Sequence, residues 1–535
     1  MAVGAIFRPG GWEVLQVRVF AGVWARHGVM SAGMPRREDY GGAARAIALY
    51  LAERQRPDGN FPGPDNYGIA SALWLWSHYG VEFARQIDRA WHRLKGAPPE
   101  SHGEFNVYAL LHCRERLGRA PVDALLRRIP FGWRHSANWM LLRAVCRAQP
   151  GPCFRPARAS LEARGALLRY ARQGFIADRA RVRSFAYHAF CGALLADLWR
   201  HHLKRWAARA AVRAADCLVP FVLPNGDSLY VGRGQQQIFG YGALLYLLES
   251  AARLSGRPEF ATLAGRVFGR LLSFQRRDGS FPLVLREGEA AEPWQPDRSR
   301  PGWYAYNRYA DYLPFLGCML VKAGEPEVGY TGDVEPAKPH ADFQVRREGR
   351  YVAVMGRPGG APTNDLAFPY VCWEGESLFP CYGAEGDRVE PEAMPLPYGV
   401  SAGGEQYSFR DRLEYRLSEE GLAGGSRLVR HIRRYEFFSD GFTCRDEIAF
   451  RGTYSFASFV PANFLFRTLR RLATGEFETW HRGARARLHL KPEGSIHPNA
   501  AVTASGLLVA LRHTRGRLEV RAGDTISAEL RVRFL

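Results

Sequence analysis

The sequence contains no apolar run of 18 residues, which excludes a membrane-spanning helix of ordinary length and any stable membrane insertion. Residues 1–30 interrupt their apolar stretches with Arg8, Glu13, Arg18 and Arg26, so the continuous core of a signal peptide is missing. The expectation is a cytoplasmic chain as the sequence stands, periplasmic or secreted if a segment precedes Met1. The nine cysteines are odd in number, scattered and without a CxxC pair, which argues against a disulfide framework or a zinc knuckle. No HExxH occurs, and Gly232-Arg-Gly234 lacks the Lys-Ser/Thr of a phosphate loop, so neither a metal nor a cofactor is expected. Acidic residues are in deficit, 53 against 73 basic ones, for a net charge of +20 and a pI near 9.8. That balance favours an anionic partner: nucleic acid, a lipid surface or a uronic-acid polymer. No nucleic-acid motif accompanies the charge. Nearly all the basic residues are Arg, whose planar fork pairs bidentately with carboxylate.

What is present is enough for more than one domain: 535 residues, 47% hydrophobic and 24% charged. From about Tyr40 to Ala323 the apolar spacing is helical. Ala44, Ile47, Ala48 and Leu51 form one stripe, as do Ile69, Ala72, Leu73 and Trp76; Phe260, Leu263, Ala264 and Val267; and Leu313, Leu316, Gly317 and Leu320. Short Pro/Gly/Asp connectors between stripes turn the chain back. One connector recurs, Gln55-Arg-Pro-Asp-Gly-Asn-Phe-Pro62 and Gln275-Arg-Arg-Asp-Gly-Ser-Phe-Pro282, pairing a Gly turn with a capping Asp and a Phe to bury. Two copies near the ends of the helical region suggest hairpins arranged in an incomplete α/α toroid, with the copies close together if the ring closes.

After Lys322 the text becomes a Gly/Glu/Pro linker and then alternates with period two. Ala486, Leu488 and Leu490 interleave with Arg485, Arg487 and His489, and Leu530, Val532 and Phe534 with Arg531 and Arg533. Ser439-Asp440-Gly441 marks a hairpin turn. The expected fold class is multidomain, α and β: an N-terminal arm (1–39), an incomplete α/α toroid (40–323), a linker (324–339) and a C-terminal antiparallel β-sandwich (340–535).

Four stretches are too polar and aromatic for plain helix packing: 135–139, 183–190, 225–242 and 302–311. At the ends of helical hairpins they would line a cleft in which an elongated ligand stacks on Trp139 or Trp303 and presents carboxylates to Arg233 and Arg308. Toroid plus sandwich, an Asn in an early hairpin, and a Gly-Asp-Ser loop running through Gln residues to Tyr241-Gly242 resemble the polysaccharide lyases of the chondroitin/hyaluronan lyase, alginate lyase and heparinase II/III-like group. The architectural resemblance spans residues 40–535, the sharp motif only Asn225–Gly242. It implies β-elimination on a uronate polymer, with an Asn, a His, a Tyr and an Arg around the sugar and the Tyr at 241 catalytic. The chain departs from the pattern at Gly232 and Arg233, where such lyases commonly carry a His, and the His role passes to His188.

The expected catalytic set is therefore Asn138, His188, Arg233, Tyr241 and Tyr306, with Gln235, Gln236, Trp139, Trp303, Tyr304, Asn307 and Arg308 binding substrate. β-Elimination needs charge stabilisation on the carboxylate, removal of the C5 proton and protonation of the departing O4, which suits these residue types. Each has a plainer reading: His188 as a core histidine, Asn138 as the N-cap of a helix starting at Trp139, the 304–308 cluster as a packed helix start. A glycoside hydrolase would need two opposed acids, with Asp227 and Asp311 the obvious ones. A non-catalytic polymer-binding or assembly protein would hold the chain without cutting it. The expected partner is an acidic polysaccharide and not nucleic acid; the oligomeric state is not legible.

Overall fold

The computed structural model describes residues 37–132, 134–180, 182–202, 204–285, 294, 308–325, 334, 336–337, 340–359, 366–381, 391–503 and 506–535. Helices occupy the first part and antiparallel sheets the second. Twelve α-helices follow one another in the described residues of the first part: α1 (Arg37–Arg54), α2 (Gly68–Tyr79), α3 (Ala84–Gly96), α4 (Gly103–Leu117), α5 (Arg119–Leu126), α6 (Ala137–Ala148), α7 (Pro156–Tyr170), α8 (Phe185–His202), α9 (Arg205–Leu218), α10 (Ile238–Ser255), α11 (Pro258–Leu272) and α12 (Tyr309–Gly324).

The even-numbered helices pack in sequence, α2 on α4, α4 on α6, and so on to α12, and α12 packs back on α2. Their sequences explain the position. In α10 and α12 apolar residues run nearly all the way round and almost every side chain is buried, as for helices enclosed on every side. Each odd-numbered helix lies outside, and α11 shows the reason: Phe260, Leu263, Ala264, Val267 and Phe268 are buried along one stripe while its other face meets solvent. All four stripes read from the sequence lie on helices and are buried.

The recurring connector is a landing device. In both copies the backbone N–H of the second residue donates to a carbonyl four residues on (Arg56 to Asn60, Arg276 to Ser280, 2.8 Å each), and Asp58 or Asp278 accepts an N–H two residues on at 3.0 Å. Leu223–Asp227 repeats the geometry, a third copy that the residue letters hide. Gly59 rests on α3 at Arg89 and Gly226 on α11 at Arg266, while Gly279 rests on α1 at Ala46. At Gly279, φ is +86° and a Cβ would stand 2.5 Å from the Ala46 carbonyl oxygen, so only glycine fits. The connector after the last outer helix thus lands on the first, and Gly279 sits against the helix that leads into Gln55.

Beyond α12 lies a four-stranded sheet (Phe343–Glu348, Tyr351–Gly356, Tyr370–Trp373, Glu376–Ser377) whose two central strands are buried on both faces. Alternate residues serve different cores. Val352, Val354, Tyr370 and Cys372 join the helices, and Tyr351, Ala353, Met355, Val371 and Trp373 join the strands beyond. There an eight-stranded sheet runs Arg470–Ala473, Glu476–His481, Ala484–Lys491, Thr525–Phe534, Gly441–Phe450, Val429–Phe438, Gly421–Gly425, Glu414–Ser418, and a six-stranded sheet forms around Tyr454–Phe466. Phe442, Leu530, Phe459 and Phe464 from the two sheets share one core. The alternations at 484–491 and 525–534 bury the expected residues, and the hairpin turn falls where expected but is one residue shorter, Ser439-Asp440, because Gly441 pairs with Phe438 as the first residue of the next strand. Among the described residues no helix is long and apolar enough to cross a membrane.

Candidate active site at the helix N-termini

The inner helices begin at one end, and their first residues meet there. Tyr67, just before α2, stacks on Phe105 of α4 at 4.4 Å. His102, just before α4, faces Trp139 of α6 at 5.4 Å, and Tyr187 of α8 meets Phe239 of α10 at 5.4 Å. Phe239 in turn lies 4.9 Å from Tyr312 of α12. Asp311 closes the circle, its carboxylate accepting the N–H groups of Asn66, Tyr67 and Gly68 at the start of α2 (2.7–3.0 Å). Positive helix ends therefore surround this mouth.

Asn138 is buried in the first turn of α6, with Ser136 donating to its Oδ1. The helix starts at Ala137, so Asn138 lies inside it, not at the N-cap as the plainer reading had it. Trp139 carries the Arg134 guanidinium over its ring at 4.6 Å. Arg233 lies 4.5 Å over the Tyr187 ring and donates to Asp178 Oδ2 at 2.6 Å. The Asp178 carbonyl accepts the Ala137 N–H at 2.9 Å, which ties the Arg233 contact to the start of α6, one residue from Asn138. Arg308, half-buried, immediately precedes α12. The departure at Gly232 has a steric basis. Residues 183–184 cross so close that a Cβ there would stand 1.9 Å from the Arg183 carbonyl oxygen, and φ is +80°. No side chain fits, and the Arg233 carbonyl is held by the Ser184 hydroxyl at 2.6 Å.

Two expected catalytic residues are placed elsewhere. His188 is fully buried; its Nδ1 accepts the Ile176 N–H (2.8 Å), its Nε2 reaches the Ala214 carbonyl (2.9 Å), and its ring stacks on Phe175. Burial pushes it down to about 4, and as a neutral imidazole it has no nitrogen left for a ligand. Tyr241 is fully buried and donates to Asp227 Oδ1 at 3.0 Å. Asp227 also accepts Gln236, Ser377 and Tyr370, the last at 2.6 Å, and so joins α10 to the four-stranded sheet. Burial alone would raise Asp227, but Arg270 and the donated hydrogen bonds outweigh it and hold the carboxyl low. Gln236 thus serves this junction, and Gln235 is buried beside it. Trp303, Tyr304, Tyr306 and Asn307 lie outside the described residues.

The mouth also holds residues that sequence reasoning passed over. His102 adopts a left-handed conformation (φ 54°), and its buried Nδ1 has no hydrogen-bond partner. Burial, then Arg134 and Arg308, push its ring down to about 4, so it is a neutral imidazole at the cleft. Tyr187 is pushed up by burial and drawn back by Arg233. Asp178 is raised by burial against the pull of Arg233, and its Oδ1 is buried without a partner. The available signal was positional: like Asn138, these residues flank the starts of inner helices.

No family model matches the chain, and no curated protein does. Among solved structures it is similar to the chondroitin AC lyase of Streptomyces coelicolor A3, solved in complex with chondroitin sulphate (12% identity over 97% of this chain and 82% of that one, TM-score 0.45). It is also similar to a heparan sulfate lyase of Pedobacter heparinus (11%, 97% and 87%, TM-score 0.33). A third is a sugar epimerase from a ruminal bacterium (12%, 54% and 100%, TM-score 0.40).

Proposed function

We propose that this chain is a lyase that cleaves an acidic, uronate-containing polysaccharide by β-elimination, on an α/α toroid (40–323) joined through residues 324–339 to a β-sandwich (340–535), with residues 1–39 as an arm. The cyclic neighbour order of the inner helices supports the toroid. The observation that carries the function is the grouping at the mouth of Arg233, Tyr187 and Asn138, linked through Asp178, with an unpartnered neutral imidazole, His102, on the same rim.

In this reading the buried Trp139 ring carries Arg134 at the mouth, and Arg134 and Arg308 attract the carboxylates of neighbouring sugars. Asn138 and Arg233 take up the negative charge that grows on the uronate carboxylate as the C5 proton leaves. His102, neutral at pH 7, accepts that proton, and the electron pair of the C5–H bond forms the C4=C5 double bond. The C4–O4 bond breaks, and the Tyr187 hydroxyl, kept protonated by burial, donates its proton to O4. These two residues take the proton-transfer roles that the resemblance gave to His188 and Tyr241, whose polar atoms are already engaged. Tyr306 stays a proposed catalytic residue, and Trp303, Tyr304 and Asn307 stay proposed substrate contacts.

The test is incubation with uronate polymers while following the ultraviolet absorbance of an unsaturated uronate. New reducing ends without that absorbance support a hydrolase, and binding without either supports a polymer-holding protein. Against a hydrolase, Asp227 and Asp311 each accept several hydrogen bonds from the surrounding fold.

A further inference from the structure

A groove of about 1460 Å³ opens between the helical half and the strands, beside the mouth and not within it. Its helical wall is the end of α7, the short hairpin Ala171–Ile176 and Arg183; its other wall is the edge of the eight-stranded sheet. Nine arginines line it against three carboxylates, Asp342, Asp411 and Glu414. Arg183 and Arg357 pair with Asp342, Arg410 with Asp411, and Arg412 with Glu405 on the rim. Arg169, Arg172, Arg416, Arg430 and Arg451 are exposed and form no ion pair among the described residues. Five uncompensated guanidinium groups around one concave surface repel each other unless an anion lies between them.

The strand register gives the surface its shape. Arg416 stands opposite Ala423, and Gly425 opposite Arg430. The central strand, Gly421-Leu-Ala-Gly-Gly425, thus presents almost no side chain, and Arg416 and Arg430 rise on either side, about 12 Å apart by strand spacing and rise. That is a trough with a bare floor and cationic banks. It runs toward the mouth: Tyr170 on its wall donates to the His135 carbonyl, three residues before Asn138, and Ala177 and Ala180 flank the Asp178 that holds Arg233.

We infer that this trough holds the extension of an anionic polysaccharide whose negative groups, uronate carboxylates and sulfate half-esters, recur along the chain, with Arg416, Arg430 and Arg451 as its main contacts. The occupant is a sugar polymer and not a nucleic acid because, among the described residues that line the trough, the rings of Tyr170, Phe175 and Tyr415 are buried and that of His340 is half-buried, leaving no exposed ring for a base to stack on. The inference rests on the proposed reaction for its place at the mouth, but binding tests it separately.

The experiment compares the parent with Arg416→Ser/Arg430→Ser/Arg451→Ser and with a control of equal charge loss at exposed sites on or just after outer helices, Arg85→Ser/Arg127→Ser/Arg209→Ser. Affinities for heparin, hyaluronan and a single-stranded oligonucleotide are titrated across salt. The trough variant is expected to lose at least about tenfold in affinity for the polysaccharides at low salt, with a flatter salt dependence, and the control to lose less than about twofold. A larger loss for heparin than for hyaluronan assigns the contacts to sulfate, and equal losses assign them to carboxylate. Equal losses in both variants, no loss in the trough variant, or an oligonucleotide bound as tightly through the same arginines overturns the inference. Trough-dependent binding without unsaturated product overturns the proposed reaction and leaves the trough standing; unsaturated product with unchanged binding in the trough variant does the reverse.

Discussion

The two ends of the same inner helices treat polar groups in opposite ways. Below the mouth, Phe105, Phe190 and Phe315 pack on one another and seal the interior. Beneath them Lys322 is bonded to Asp197 and reaches His112 Nε2 at 3.2 Å, Tyr246 donates to Asp197 at 2.7 Å, Tyr108 donates to its other oxygen, and Trp74 stacks on His112 at 4.1 Å. Burial alone would raise Asp197, but Lys322 and His112 hold it well below the usual carboxylate range. Both Asp197 oxygens are engaged. At the mouth, by contrast, His102 and Asp178 keep buried polar atoms without partners. A saturated buried network fixes the packing of its helices, whereas an unsaturated one at a cleft is complete only with a ligand.

Substitutions should separate the two ends. At the mouth, Tyr187→Phe is expected to lower turnover by roughly 10²–10⁴-fold while the melting temperature stays near the parent's; Arg233→Ala is expected to lower turnover as far and also to lower the melting temperature, because it leaves Asp178 buried without its counter-charge. Turnover at the parental rate in Tyr187→Phe would remove the proposed acid. At the sealed end, Asp197→Ala leaves Lys322 buried without its counter-charge. It is expected to cost about 3–5 kcal/mol in denaturant unfolding, with turnover per folded molecule unchanged. If Asp197→Ala abolished turnover in protein that remained folded, the contrast between the ends would fail.

The third test falls between them. Tyr241→Phe removes one donor from Asp227, which keeps Tyr370, Ser377 and Gln236. The expected cost is about 1.5–3 kcal/mol of stability, with turnover within a few-fold of the parent. A loss of two or more decades in turnover would return Tyr241 to the reaction.

What the sequence conveyed follows from geometry. Outer helices show stripes because one face meets solvent, and strands near the C-terminus alternate for the same reason. The strand Tyr351–Gly356 gave no such signal because both of its faces are covered. The site was legible by segment but not by side chain. On a helix one residue turns the side chain by about 100°, so in Phe-Ala-Tyr-His the ring of Tyr187 faces the mouth and that of His188 the core. Two residues separate Phe239 at the mouth from Tyr241 at the Asp227 junction in the same way. No local pattern fixes which residue of such a run points inward; that is set by neighbours distant in sequence.

The smallest expected effect is also the sharpest, because it asks activity and stability to part under acid. His102 is neutral in the folded chain down to about pH 4. If it is the base, kcat/KM should change little between pH 7 and 5, where about nine-tenths of it is still neutral, whereas an ordinary histidine near 6.5 would lose roughly 30-fold of its neutral form by pH 5. Stability moves the other way. The folded pKa of His188, about 4, lies below the unfolded value, so its contribution is present above about 6.5 and is lost as pH falls toward 4. Asp311, raised to about 6 by burial, has the opposite sign: its contribution is present below about 3.8 and is lost as pH rises through 6. His102, lowered to about 4, adds a loss of the same sign as His188, so melting temperature should decline from pH 6.5 to 4 less steeply than the lowered histidines together dictate, and Asp311→Asn should steepen the decline. Turnover followed over the same interval at a temperature where the chain stays folded should remain nearly level. An acid limb centred near 6.5 in protein that is still folded would show that a different group takes the proton.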